Sequence, residues 1–290
     1  MNKWLKITAV GAGLIGAGAG LALRAGNALW KKETGRMIAE MESGSAPPAA
    51  KTFSEEKIAD LPLPVRRYFK FALKEGQPLV RAARLRHAGE FYLNDRWIPF
   101  ESEEYFSAAP AAFVWDAKMK MKPLINVRVR DSYRRGQGAM RAKILSLFTV
   151  MNAEGANEKL ASGTLQRFLA EAVWLPTALL PSENLQWSEI DDAHAGATLT
   201  DSGVTVSLEF EFGRQGEIAG TFSPARYKET DGKYKAYPWA GRFRNYQEYA
   251  GMMIPFEGEV EWQMPEGNLP YWRGKLLEAE YFYDEPQEIK

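Results

Sequence analysis

The residue types and spacings that could do chemistry reduce to one helical trio and a few carboxylates. Arg167, Glu171 and Trp174 are spaced i, i+4, i+7, which sets a cation, an acid and an indole on one side of a helix. At the mouth of a sheet they would make a polar handle beside an aromatic wall, suited to a lipid head group or another amphipathic ligand. The plainer reading is an intrahelical ion pair with a packing tryptophan. Asp131 falls on the same strand face as Ile125, Val127, Val129 and Tyr133. A carboxylate there needs an arginine, backbone N–H donors or a wet cavity, because an isolated buried charge is costly. Asp116 sits on the opposite face of its strand from Phe113 and Trp115 and is expected to be solvated. If Asp116, Asp131 and Glu171 converged in an open cleft, they could divide general-acid and general-base roles as in glycoside hydrolysis, although their spacing alone does not bring them together.

Other chemistries find no foothold. The 290 residues include no cysteine, which excludes disulfides, thiolate nucleophiles, iron–sulfur clusters and thiolate zinc sites. His87 and His194 are the two histidines, too far apart for a persuasive metal site, and read as ordinary strand or turn residues. Neither G-x-S-x-G nor H-E-x-x-H occurs. With 37 basic against 37 acidic side chains, the chain lacks the basic excess of a nucleic-acid binder. The run Gly11-Ala12-Gly13-Leu14-Ile15-Gly16 matches G-x-G-x-x-G, but no second strand leads to an acid about 20 residues on, as a dinucleotide fold requires. Glycine packing in a membrane helix, including Gly16-x-x-x-Gly20, accounts for the same letters. No catalytic residue, metal ligand or cofactor is assigned.

The elements that must position these residues fall into three parts: an anchor or signal segment (1–26), a helical and Pro/Ala-containing linker (27–53), and a curled antiparallel domain (54–290). Lys3 and Lys6 precede an uncharged run, residues 7–23, closed by Arg24. At about 17 residues and 1.5 Å per residue, the run is at the lower edge of bilayer-spanning length. It reads as an uncleaved membrane anchor, with a cleaved signal peptide as the alternative; the domain is expected on the extracytoplasmic side, while Lys3 and Lys6 against Arg24, Lys31, Lys32 and Arg36 leave the positive-inside count undecided. Helices are expected at about 54–75 and 157–174. Thr52 and Glu55 have capping-box spacing, Val65 to Glu75 carries one apolar stripe, and Leu165, Phe168, Leu169, Ala172 and Val173 recur at i, i+3, i+4, i+7, i+8.

Elsewhere the period is two. Val204, Val206, Leu208, Phe210 and Phe212 alternate with polar residues, as do Ile254 to Met264 and Phe113 to Met121, and turn signals such as Asn94-Asp95 and Asp201-Ser202-Gly203 separate the runs. About ten such strands exceed what a flat sheet tolerates, so the expected fold is mainly β, a half-barrel or barrel with packing helices.

Several stretches together resemble a known family: Asp60-Leu61-Pro62-Leu63-Pro64-Val65-Arg66-Arg67-Tyr68-Phe69, Phe113-Val114-Trp115-Asp116-Ala117, Val129-Arg130-Asp131-Ser132-Tyr133, Pro270-Tyr271-Trp272-Arg273-Gly274 and, most specifically, the run from Arg167 to Pro181. They look like the bacterial family catalogued as domain of unknown function 6544, over about residues 55–285. The resemblance implies no established activity. It implies an architecture similar to the curved half-barrel of periplasmic lipoprotein carriers, which hold acyl chains between a sheet and its helices. The expected function is therefore non-enzymatic binding of a lipid or other amphipathic ligand at a membrane, with Arg167, Glu171, Trp174, Asp131, Trp115 and Tyr133 as the candidate contacts. A carboxylate-based hydrolase and a structural or adaptor protein with a filled core are the alternatives.

Overall fold

The computed structural model describes residues 3–44, 51–155, 157–230 and 232–283, with residues 3–17 as backbone alone. Three α-helices are described: α1 (Lys3–Gly44), α2 (Leu63–Ala72) and α3 (Glu158–Glu171). The strands before α3 are β1 (Ala82–Leu93), β2 (Arg96–Ser107), β3 (Ala112–Lys122), β4 (Ile125–Arg134), β5 (Gln137–Ile144) and β6 (Phe148–Ala153). After it come β7 (Leu185–Glu189), β8 (His194–Asp201), β9 (Val204–Phe212), β10 (Ile218–Thr230), β11 (Lys233–Tyr249), β12 (Met252–Met264) and β13 (Gly267–Phe282). All thirteen belong to one antiparallel sheet in the order β6-β5-β4-β3-β2-β1-β13-β12-β11-β10-β9-β8-β7. The chain thus makes two meanders joined by the pairing of β1 with β13, and α3 connects the two free edges, β6 and β7.

That connection explains the curl. α3 packs against β4 and β5 from one meander and β9 and β10 from the other, so the sheet wraps around it. The helix starts at Asn157, whose side chain accepts hydrogen bonds from the Lys159 and Leu160 amides, both at 3.1 Å. Its apolar stripe is the one read from the sequence: Leu165, Phe168, Leu169 and, just past the helix, Ala172 and Val173 are all buried. Phe168 stacks on Phe106 of β2 with ring centroids 4.4 Å apart.

Glycines permit one close approach between strands. Gly89 of β1, Gly274 of β13 and Gly258 of β12 stand side by side across three adjoining strands. A Cβ at Gly89 would lie 2.1 Å from the Arg273 carbonyl oxygen, and one at Gly258 would meet the Trp272 and Trp174 rings at 3.2 and 3.5 Å. Their lack of side chains lets the strands approach and leaves room on the concave side for two indoles.

Local departures from the sequence reading have physical causes. Ser54, rather than Thr52, caps the turn that follows, accepting from the Glu56 amide, because Thr52 is held extended by bridging to Pro78. α2 stops at Ala72, Leu73 being extended, so Gly76 (φ 77°) shapes a turn beyond the helix instead of its C′ position. The long α1 continues without a break through Gly44. Most of the apolar run at residues 7–23 falls in the part described by backbone alone, so the reading of its side chains as a membrane span lies outside the described residues. Among the described residues no helix is long and apolar enough to cross a membrane.

The second half of α1 docks on the outer face of the sheet. Met41 packs with Ala82, Tyr105, Ala112 and Val114, while Trp30 is 1% exposed. The Trp30 indole N–H donates to Asp116 at 2.7 Å, the Thr34 hydroxyl donates to the same oxygen at 2.8 Å, and Arg128 approaches the other oxygen at 3.3 Å. Arg130 stacks over the Trp30 ring, 4.2 Å from its centroid, and donates to the Trp30 carbonyl at 2.7 Å. Asp116 is therefore not a solvated surface acid: a helix distant in sequence covers it. Trp30→Ala should lower stability by roughly 3–5 kcal/mol, the usual cost of deleting a buried aromatic, and removes one donor to Asp116 and the ring under Arg130. A urea-unfolding midpoint unchanged from wild type would contradict this clamp.

Candidate functional site

The concave face carries one buried charge cluster, centred on Arg167 of α3. Its guanidinium donates to Asp131 of β4 at 2.7 Å, to Glu171 one turn along the helix at 2.9 Å, and to Glu104 of β2 at 3.4 Å. The Phe113 and Trp115 rings lie against it, each centroid 4.9 Å from the guanidinium carbon. The Asp131 and Glu104 side chains are 6% and 1% exposed. The sequence thus brings together Arg167, Glu171, Asp131 and Trp115 as expected of a site, and satisfies the requirement that Asp131 find a cation.

Three acids surround one arginine here, and Glu104 is the most deeply enclosed of them. Burial holds the Glu104 carboxyl well above the usual carboxylate range; the Glu171 charge pushes it further, against the pull of Arg167, and a hydrogen bond to Glu171 acts in the same direction. Burial alone would lower the Arg167 pKa, but Glu171, Glu104 and Asp131 outweigh it and keep the guanidinium charged. Glu104 is thus the acid whose neutral form the cluster favours. Asp131 Oδ1 and Glu171 Oε2 are buried without a described partner.

The other expected site residues go elsewhere. α3 ends at Glu171, and Trp174 lies in the tight turn after it, so the trio does not share one helical face. The Trp174 indole donates to the Pro255 carbonyl at 2.9 Å and packs on His87 at 4.7 Å between centroids. Tyr133 is fully buried and donates to Asp201 at 2.9 Å, pinning β4 to the end of β8. Asp116 lies on the outer face, under α1, so it cannot join Asp131 and Glu171: the three-carboxylate constellation does not form. His194 pairs with Asp191 at the surface.

Glu104 and Arg226 were not singled out in the sequence, and His87 was read there as an ordinary strand or turn residue. Glu104 faces inward because it shares the alternate positions of Phe100 and Phe106, a period hidden by the neighbouring Glu101 and Glu103. His87, between Leu85 and Gly89 on the same period, has neither ring nitrogen partnered, and burial with the nearby Arg167 charge pushes its pKa down to about 3. Arg226 of β10 flanks the other side of α3. It donates to the Gly163 carbonyl at 3.0 Å and to the Tyr271 hydroxyl at 3.1 Å, with Trp239 and Trp262 at its faces.

Above this floor, at the end of the sheet where β1 meets β2 and β12 meets β13, the concave face opens into a collar of half-buried apolar side chains: Phe91, Val260, Met264, Leu269, Tyr271 and Trp272. At the same end of the sheet, on the β3–β4 hairpin, lies an open depression of about 550 Å³ lined by Met121, Leu124 and Ile125 together with Lys118, Lys120 and Lys122, of which Lys118 and Lys120 share the outer strand face of Asp116. A second depression, about 430 Å³, opens near Phe71, Arg242, Arg244 and Tyr246. Neither is lined by the Arg167 cluster, whose acids surround α3 rather than an open cleft.

These features define a class: a helix-plugged antiparallel half-barrel with an apolar mouth and a buried ionic floor. The chain belongs to the family of unknown function DUF6544, which matches residues 51–274. No curated protein matches the sequence. Among solved structures it is similar to a DUF1329 family protein from Desulfovibrio piger (10% identity, 72% of this chain and 88% of that one, TM-score 0.40). It is also similar to a LolA superfamily protein from Nitrosomonas europaea (9% identity, 77% and 93%, TM-score 0.37). Likenesses at this level decide nothing about what the chain does.

The floor gives two opposing pH dependences. Unfolded His87 takes up its proton near its ordinary value of 6.5, whereas the buried ring does so only near 3, so its neutrality stabilises the fold above that window and the stability is lost as pH falls through it. Glu104 has the opposite sign: its folded pKa lies above 4.5, so its contribution is full below that value and is lost as pH rises. His87→Leu should therefore flatten the acid-side decline in urea midpoint, and Glu104→Gln the decline on the neutral side. Identical pH profiles for both variants and wild type would refute this assignment.

Proposed function

We infer that the protein is a membrane-tethered, non-enzymatic binder of an amphipathic, lipid-like molecule, held at the open end of the half-barrel in the extracytoplasmic space. The observation that carries this reading is that one end of the sheet bears both a half-buried aromatic collar and, on the β3–β4 hairpin, a depression in which Met121, Leu124 and Ile125 lie among Lys118, Lys120 and Lys122. An apolar surface accepts hydrocarbon and the ammonium groups accept an anionic head, which is the division of labour an amphiphile demands. α3 fills the interior below the collar, so the ligand rests on the collar or enters deeper only as α3 yields. The tether is the apolar stretch of α1 at residues 7–23. The hydrolase reading loses its support, because Asp116 is on the other face of the sheet and Glu104 and Asp131 are enclosed around Arg167.

Native mass spectrometry of the full chain extracted from its host's membranes tests this reading, with solvent extraction to identify what is carried. A near-stoichiometric amphiphile is expected. Lys122→Glu, at an exposed position, should cut its occupancy by about tenfold through reversal of one charge beside the head group. Wild-type protein that emerges empty would instead favour a structural or adaptor role.

A further inference from the structure

α1 and the sheet agree on which way the domain faces. From Gly26, where an added Cβ would lie 2.6 Å from Leu147 and 3.0 Å from the Ser146 carbonyl in the β5–β6 turn, the helix runs toward its N-terminus away from the domain: a Cβ at Gly18 or Gly20 would meet no other part of the protein within 4 Å, and Leu21 is 66% exposed. The apolar run of residues 7–23 therefore begins where α1 leaves the half-barrel, at the end that also carries the β3–β4 and β5–β6 turns. That same end presents apolar side chains to solvent. Leu124 is 95% exposed, Phe148 64% and Val150 56%, far beyond the scattered leucine that any surface tolerates. The Leu145 amide donates to the Asn126 carbonyl at 2.9 Å, and Ile144 pairs with both Val127 and Phe148, so the two turns form one continuous edge.

The basic side chains at this edge are Lys118, Lys120, Lys122 and Lys143; Lys120 pairs with Glu101 at 2.6 Å, while Arg128, Arg130, Arg134 and Arg141, farther along the strands, pair with Asp116, Glu33, Glu40 and Glu154. Lys118, Lys120 and Lys122 stand directly beside Leu124. Exposed apolar tips inside a basic surround, at the base of an apolar helix, match the chemistry of a bilayer surface bearing anionic lipid.

We propose that the β3–β4 hairpin and the β5–β6 turn with β6 are a membrane-docking surface, through which the open end of the half-barrel rests on an anionic bilayer. Leu124, Ile125, Phe148 and Val150 enter the interfacial layer, and the flanking lysines meet lipid phosphates. The mouth of the half-barrel then faces the lipid from which an amphiphile would come. This inference rests on the tether of the proposed function but not on its ligand.

The absence of cysteine makes the test direct, since each introduced thiol is the sole labelling point. Full-length Leu124→Cys, Phe148→Cys and, at the far end beside α2, Lys57→Cys are labelled with an environment-sensitive dye. Each is reconstituted into phosphatidylcholine vesicles containing phosphatidylglycerol and a nitroxide-bearing lipid. The protein should float with the vesicles, and the dyes at 124 and 148 should be quenched at least about twofold more than the dye at 57, as expected of apolar side chains within the interface. Replacing phosphatidylglycerol by phosphatidylcholine should reduce quenching at 124 without abolishing flotation. Flotation with equal quenching at all three positions overturns the docking surface and leaves the tether standing; failure to float overturns both.

Discussion

A sheet that curls without closing has an inner face that must be covered by another part of the chain, and in this protein that part is α3. The helix bridges the two free edges in sequence and lies against both meanders in space, so it is at once the connection and the core. Its apolar stripe removes most of the concave face from water, the main source of stability in such a layered packing. The ion cluster around Arg167 fixes its rotation and register: a guanidinium held by carboxylates on β2 and β4 and sandwiched by two rings of β3 accepts few other positions. Such a device adds specificity more readily than stability, because desolvating four ionisable groups offsets much of what their attraction contributes.

The outer face solves a parallel problem by a different route. α1 covers β2, β3 and β4 with Trp30 and Met41, and Asp116 ties indole, hydroxyl and guanidinium together. Acids of neighbouring sequence thus have different tasks according to the face they occupy. Asp116 and Asp131 sit on strands that are adjacent in the sheet, yet one secures a helix outside and the other secures a helix inside.

Much of this was legible in the sequence because it is periodic. Val204–Phe212 reads as a strand and is one, with those bounds; the stripe from Leu165 to Val173 reads as a helix packed on the sheet and is found there. The curled antiparallel class followed from the number of alternating runs. What periodicity does not carry is partnership over long separations. Asp116 was expected in solvent because the helix that covers it lies 86 residues away in the chain. Glu104 was missed since acids on both faces of β2 conceal its alternation with Phe100 and Phe106. Trp174 was placed with Arg167 by extrapolating a helix that ends at Glu171, just before it. The ion pair of Arg167 with Glu171 was visible as an i, i+4 spacing; its closure by Glu104 depends on the register between α3 and β2, which only the folded chain defines.

The attachment of α1 has a mechanical consequence. Its contacts with the sheet extend from Gly26 to Met41, so the apolar segment and the globular domain are not joined by a slack leash but by a single strut, bolted at several points along its length. A leashed domain samples a hemisphere above its attachment and collides with partners from any angle. A strutted one has a fixed height and bearing. If the apolar segment is held in a bilayer as proposed, whatever the domain exchanges must come to its mouth by moving in two dimensions, and its traffic is governed by lateral diffusion of the whole assembly and not by the swing of an arm.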